Sequence, residues 1–158
     1  MKMILEKLLD DLAKEGKLKK QEASLNYLNA LLDAAKRNFN AAEIVRDQVE
    51  EAAFKLVYDG LLQIGRAVVL LNGYRPDDGE QHKTTFTVAG EILGKDYQEL
   101  ISKIQKFRIK RNDCLYEPRG LITKSETEAI FATAREFWLK VRKYLESKNP
   151  QLKLFKEF

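Results

Sequence analysis

With one cysteine in 158 residues, Cys114, the chain has no internal disulfide to make, which suits a reducing, cytoplasmic setting. A lone cysteine among apolar neighbours reads first as a small hydrophobe rather than a nucleophile. The single histidine, His82, cannot complete a typical zinc site with that one thiol. No His, Cys, Asp and Glu cluster has metal-ligand spacing, so no metal and no cofactor is expected. Three prolines and eight glycines are too few for a loop-rich or disordered chain. No apolar run approaches the ~18–20 residues of a membrane span, and the opening MKMILEKLLDDLAKEG carries acids inside its apolar run, unlike a secretory signal. The segment NGYRPDDG lacks the G-x-x-x-x-G-K phosphate-loop pattern, and neither G-x-S-x-G nor a Cys/His nucleophile arrangement occurs. No run alternates convincingly with period two, and there is no internal repeat, low-complexity segment or linker.

What is present is helical periodicity. A content of 44% hydrophobic and 33% charged residues is ordinary for one globular domain, here 1–158. A first helix is expected within 1–16, over 2–14, stopping at Gly16. Ser24 then caps a long helix whose apolar positions are Leu28, Leu31, Leu32, Ala35, Phe39 and Ala42, the spacing of one buried face. Asp47, Glu50 and Glu51 open a third helix, favourably placed for its dipole. Its stripe runs Ala53, Leu56, Val57, Gly60, Ile64, Ala67, Val68 and Leu71, and it ends at Gly73 with Pro76 beyond. Gly60 and Gly65 each weaken it by about 1 kcal/mol relative to alanine, so a neighbouring helix is expected to approach closely there. A loop over 73–84 leads to a short helix over 85–93 that ends at Gly94. Asp96 caps a helix over 97–116, which Pro118 and Gly120 terminate. S-E-T-E at 125–128 reads as a capping box for a last helix that buries Ile130, Phe131, Ala134, Phe137, Trp138, Val141 and Leu145. Residues 150–158 read as a tail, frayed or docked on a partner. The fold expected is all-α, an up-and-down bundle of four to five helices.

The net charge of +4 is mild, but its distribution is not even. Residues 102–111 carry Lys103, Lys106, Arg108, Lys110 and Arg111 with no acid, and Arg135, Lys140, Arg142 and Lys143 form a second basic group. Clusters of this kind meet phosphate or form a solvated helix face. On a helical wheel at about 100° per residue, Arg108, Arg111 and Asn112 fall on the side of Ile101, Ile104 and Leu115. A charge in an apolar stripe needs an acceptor. One explanation is structural: Asp59, Gln63 and Arg66 form a matching polar stripe on the third helix, so Asp59 could take an arginine. The other is functional: the arginines line a cleft or a subunit seam and bind an anion, with phosphate the expected one. Asn112 lies one turn after Arg108 and Tyr116 one turn after Asn112, so these can form one polar site with Arg111.

Three segments in order, AAFKLVYDGLLQIGRAVVLLNGYRP (52–76), GEQHKTT (79–85) and FRIKRNDCLYEP (107–118), resemble the HEPN family of small helical domains over most of the chain. The resemblance implies a bundle of four or five helices, generally a homodimer, in which the hallmark helices of two subunits meet at a cleft. Many members are metal-independent ribonucleases of toxin–antitoxin or defence systems, often beside a minimal nucleotidyltransferase antitoxin. Carried over, Arg111 matches the hallmark arginine that binds or polarises the scissile phosphate, and Asn112 the polar residue after it. Position 116 would be the acid/base histidine, but here it is Tyr116. A phenol with pKa about 10 stays protonated at neutral pH and is a poor base beside imidazole at about 6.5. Some toxin members carry a tyrosine, modified with nucleotide, where this chain has Pro118. His82 lies outside the hallmark. The expectation is an RNA- or nucleotide-phosphate-binding protein with Arg111 and Tyr116 in catalytic positions and Arg108, Asn112 and Lys110 contacting phosphate. It is a toxin-like or degenerate endoribonuclease on this reading. Alternatively it is a non-enzymatic dimerisation domain whose arginines form ion pairs with Asp59, near Arg66, or with the other subunit.

Overall fold

The apolar surface of residues 50–71 extends well around the helix, and such a helix belongs in the middle of a bundle. In the computed structural model, which describes residues 2–119 and 122–158, that segment is α3 (Glu50–Leu71), and it packs against the helices around it. Before it come α1 (Lys2–Lys14), a short strand β1 (Leu18–Lys20) and α2 (Leu25–Val45). After it come β2 (Tyr74–Pro76), α4 (Gln81–Leu93), a 3-10 turn over Lys95–Tyr97, α5 (Gln98–Tyr116) and α6 (Lys124–Lys148). The described residues thus form an all-α bundle of six α-helices rather than four or five. All six apolar positions expected on α2, and all seven on α6, are buried.

Alpha-2 lies along α3, and the reason is visible at Gly60. A Cβ there would stand 2.5 Å from Cε1 of Phe39 on α2, closer than carbon atoms can approach. The missing side chain therefore lets the Phe39 ring sit directly on the α3 backbone. Gly65 does the same for α4, whose Thr85 methyl and Phe86 ring occupy the space.

Several sequence boundaries shift. The expected loop over 73–84 contains β2, which pairs antiparallel with β1 in the register Leu18↔Pro76, Lys19↔Arg75 and Lys20↔Tyr74. The all-α reading stands with this two-stranded patch added to it; three residues per strand is too short for alternation to register. Alpha-4 starts at Gln81, not 85, so His82 lies in its first turn. Asp96 sits inside the 3-10 turn and is not the cap of α5. The capping box of α6 is Thr123 with Glu126, two residues ahead of the one expected, and both reciprocal hydrogen bonds are present at 3.1 Å. Gly120, expected to help end α5, lies outside the described residues.

The tail, read from the sequence as frayed or docked on a partner, packs on its own chain. Leu152 is buried, Phe155 stacks on Trp138 with centroids 4.0 Å apart, and Phe158 stacks on Phe39 at 3.9 Å. The Trp138 indole donates to the Phe155 carbonyl at 3.0 Å, and the amide of Lys153 donates to the Asn29 side chain at 2.9 Å. Aromatic rings three residues apart in an extended segment reach one groove between α2 and α6, and their burial outweighs the entropy of ordering the tail. Among the described residues, no helix is long and apolar enough to cross a membrane.

Candidate functional site

Alpha-5 reaches the bundle through Leu100, Ile101, Ile104 and Cys114, with Phe107 partly buried against the core. Leu115, placed in that stripe on the wheel, is instead exposed, and Cys114 takes the inward position. Arg108 and Arg111 remain on the inner side, half-buried, at the junction of α3, α4 and α5. Arg111 meets Asp59 of α3, with Nη2 and Oδ1 3.5 Å apart, and its guanidinium lies over the Tyr58 ring, 5.2 Å from the centroid. That contact is at the outer edge of hydrogen-bonding distance. The Nε of Arg111 is buried with no partner among the described residues.

Arg108 is held differently. Its Nε donates to Oε1 of Gln105 at 2.7 Å, and Nε2 of Gln105 donates to the Lys83 carbonyl in the first turn of α4 at 3.1 Å. Gln105 thus ties the arginine to α4 without neutralising it. Among the described residues no carboxylate lies within 4 Å of Arg108.

Three titratable groups beneath the arginines are perturbed. Burial pushes the Tyr58 phenol well above its usual value, against the pull of Arg111 and Arg108. Burial also raises the Asp59 carboxyl, with Arg111 and then His82 opposing it only in part. For His82, burial and then the Arg111 guanidinium lower the pKa, while Asp59 pulls the other way. Tyr58 and His82 are joined by a hydrogen bond between the phenol oxygen and Nδ1 at 3.2 Å.

The structure therefore brings together Arg108, Arg111 and Asp59, and adds Tyr58 and His82. The sequence reading left His82 outside the site. The signal that could have included it is its place one turn before Thr85 and Phe86 and two before Ala89, on the buried face of α4. Tyr116, in contrast, ends α5 and is 88% exposed, with no hydrogen bond among the described residues. Asn112 is half-buried and makes no side-chain hydrogen bond among the described residues. Lys110 turns to α6, 3.2 Å from the capping carboxylate of Glu126. Arg66 is exposed and donates to the Tyr27 hydroxyl at 3.2 Å.

A cleft of about 760 Å³ lies elsewhere, between α1 and the ends of α3, α4 and α6. Two polar pairs close within it: Tyr74 donates to Asp10 at 2.6 Å, and Asn72 donates to the Tyr144 hydroxyl at 3.1 Å. Size alone does not make it the functional site: the perturbed groups in its lining are two phenols, Tyr74, pushed up to about 12 chiefly by its hydrogen bond to Asp10, and Tyr144, raised by burial. Among the described residues, no group of three or more His, Cys, Asp and Glu side chains could hold a metal ion. Comparison with protein-family models, with curated proteins and with solved structures finds no match to this chain.

Proposed function

We propose that the protein binds RNA through its phosphates at the α3–α4–α5 junction, as a HEPN-like module in which Arg108 and Arg111 are the principal contacts. The observation that carries this reading is the uncompensated charge: two half-buried arginines face one carboxylate, and Nε of Arg111 is buried without a partner. Phosphate oxygens are the acceptors that a guanidinium fork fits best. Lys106 extends the positive surface along α5, whereas Lys103 and Lys110 are drawn to Glu99 and Glu126.

Catalysis has less support than binding. A solvated phenol with no side-chain hydrogen bond among the described residues is not set to accept a proton from a ribose hydroxyl, so Tyr116 acts on this reading as a surface contact. The resemblance brings a homodimer with it, and Ile109, Leu115 and Tyr116 are apolar or aromatic side chains left exposed on the same helix. A second copy would cover them. A nucleotidyltransferase partner of the antitoxin kind belongs to the same proposal.

End-labelled RNA incubated with the protein in chelator and run on native and denaturing gels tests the reading. The expected result is retarded, intact RNA with wild type and with Tyr116→Phe, and free RNA with Arg111→Ala. Unretarded RNA at high protein concentration would refute it. Cleavage lost in both Arg111→Ala and Tyr116→Phe would restore a ribonuclease in which tyrosine replaces the motif histidine.

A further inference from the structure

Tyr58 is fully buried, and its hydroxyl has one side-chain partner among the described residues, Nδ1 of His82. A buried phenol with nowhere else to send its proton donates it there. Nδ1 is then the unprotonated nitrogen, and the proton of the neutral ring sits on Nε2. Charging the ring would place a second N–H against the phenol and strand the phenol proton in the core. The groups within electrostatic reach act in the same direction on balance. Burial, Arg111 and Arg108 from α5, and Arg66 from α3 all disfavour imidazolium, and Asp59 of α3 favours it. Nε2 makes no hydrogen bond among the described residues, and the ring is only half-buried.

We propose that Nε2–H of His82 is a neutral hydrogen-bond donor to the phosphate oxygens that Arg108 and Arg111 attract, with Tyr58 as the positioning residue that fixes the tautomer. The inference rests on the phosphate-binding reading above. It also defines what His82 does not do: with Nδ1 occupied by the phenol and Nε2 carrying a proton, the ring has no free lone pair with which to activate a ribose hydroxyl. It supplies direction to a phosphate already attracted by the arginines.

Because the chain has one histidine, a long-range proton–nitrogen NMR spectrum of the wild type shows a single imidazole. At pH 7 the expected pattern is a pyrrole-like Nε2 and a pyridine-like Nδ1. Inorganic phosphate and hexauridylate should each shift Nε2 more than Nδ1. Tyr58→Phe should raise the His82 pKa, since the hydrogen bond that favours the neutral ring is gone. Replacement separates a donor from a base: His82→Gln keeps an N–H near Nε2 and should hold hexauridylate within about threefold of wild type, while His82→Phe should bind about tenfold more weakly. A proton on Nδ1, a charged ring at pH 7, an Nε2 unmoved by bound hexauridylate, or full affinity in His82→Phe would overturn the proposal. Binding that survives His82→Phe but not Arg111→Ala would overturn this inference alone. Absence of binding in the wild type would remove the phosphate site and the inference with it.

Discussion

Asp59→Asn separates a phosphate site from a structural ion pair, because the two accounts predict opposite results. Burial raises the Asp59 pKa more than Arg111 and His82 lower it. A folded value above the unfolded one of about 3.9 means that the associated stability is present below that pH and is lost as pH rises through the folded pKa. At pH 7 the carboxylate is thus a net cost to the fold, and its uncharged isostere should leave the melting temperature equal or slightly higher. Affinity should change more. The carboxylate is 3.5 Å from Nη2 of Arg111, and a phosphate oxygen on the other side would be about 2.8 Å from the guanidinium, so the two anions would lie about 6 Å apart. Their repulsion is then about 0.7–2.8 kcal/mol for effective dielectrics between about 80 and 20. The Asp59 side chain is 40% exposed, which favours the lower end, about 1 kcal/mol or fivefold in affinity. Fluorescence anisotropy with labelled hexauridylate at low salt, beside thermal unfolding, reads both quantities. A melting temperature that falls by several degrees with no gain in affinity would refute the reasoning and establish the pair as a structural lock.

Gly60→Ala should destabilise despite the better helix propensity of alanine. Overpacking Phe39, which Phe158 backs, costs about 1–3 kcal/mol against a gain of about 1. A net loss of about 1 kcal/mol lowers the melting temperature by about 2–4 °C, and a rise would contradict the packing argument. Phe155→Ala should expose the single tryptophan, Trp138, now 1% exposed: a red-shifted, quenchable emission is expected, and an unchanged spectrum would mean the tail is not docked. Burial tends to raise the Glu126 pKa, but the Thr123 backbone and Lys110 together bring it below the usual value. Its stabilisation is therefore present above the unfolded pKa of about 4.3 and lost as pH falls through the folded value. Glu126→Gln should accordingly flatten the acid limb of a stability–pH profile. An unchanged limb would show that Lys110 gains nothing from Glu126.

Much of the fold could be read from periodicity because long helices repeat the same demand many times. Leu28 to Ala42 and Ile130 to Leu145 fall on buried faces as expected. Features decided by a few residues were harder to read. Thr123-x-x-Glu126 and Ser125-x-x-Glu128 both fit a capping box, and the entry of the chain into α6 chooses between them. In the tail, Leu152, Phe155 and Phe158 follow no helical or strand period over a useful length, so only the groove they fill gives them meaning. The Asp59–Arg111 pairing was legible because both sit in apolar stripes on long helices. The contact of Tyr58 with His82 was not, since 24 positions and the β2 turn separate them. The wheel placed Arg111 well but Leu115 badly: near the end of α5 few core residues remain to hold the stripe, and the chain turns outward at Tyr116.

The salt dependence of single-stranded RNA binding, compared between wild type and the Arg108→Ala/Arg111→Ala double variant, tests the central claim most directly. Each phosphate contact adds about 0.7 to the slope of log affinity against log salt for single strands. The account predicts that the double variant binds more weakly at every salt concentration and that its slope is shallower by about 1.4. Equal affinity and equal slope in the two proteins would show that the arginines of α5 are not phosphate contacts, and would return them to a structural role.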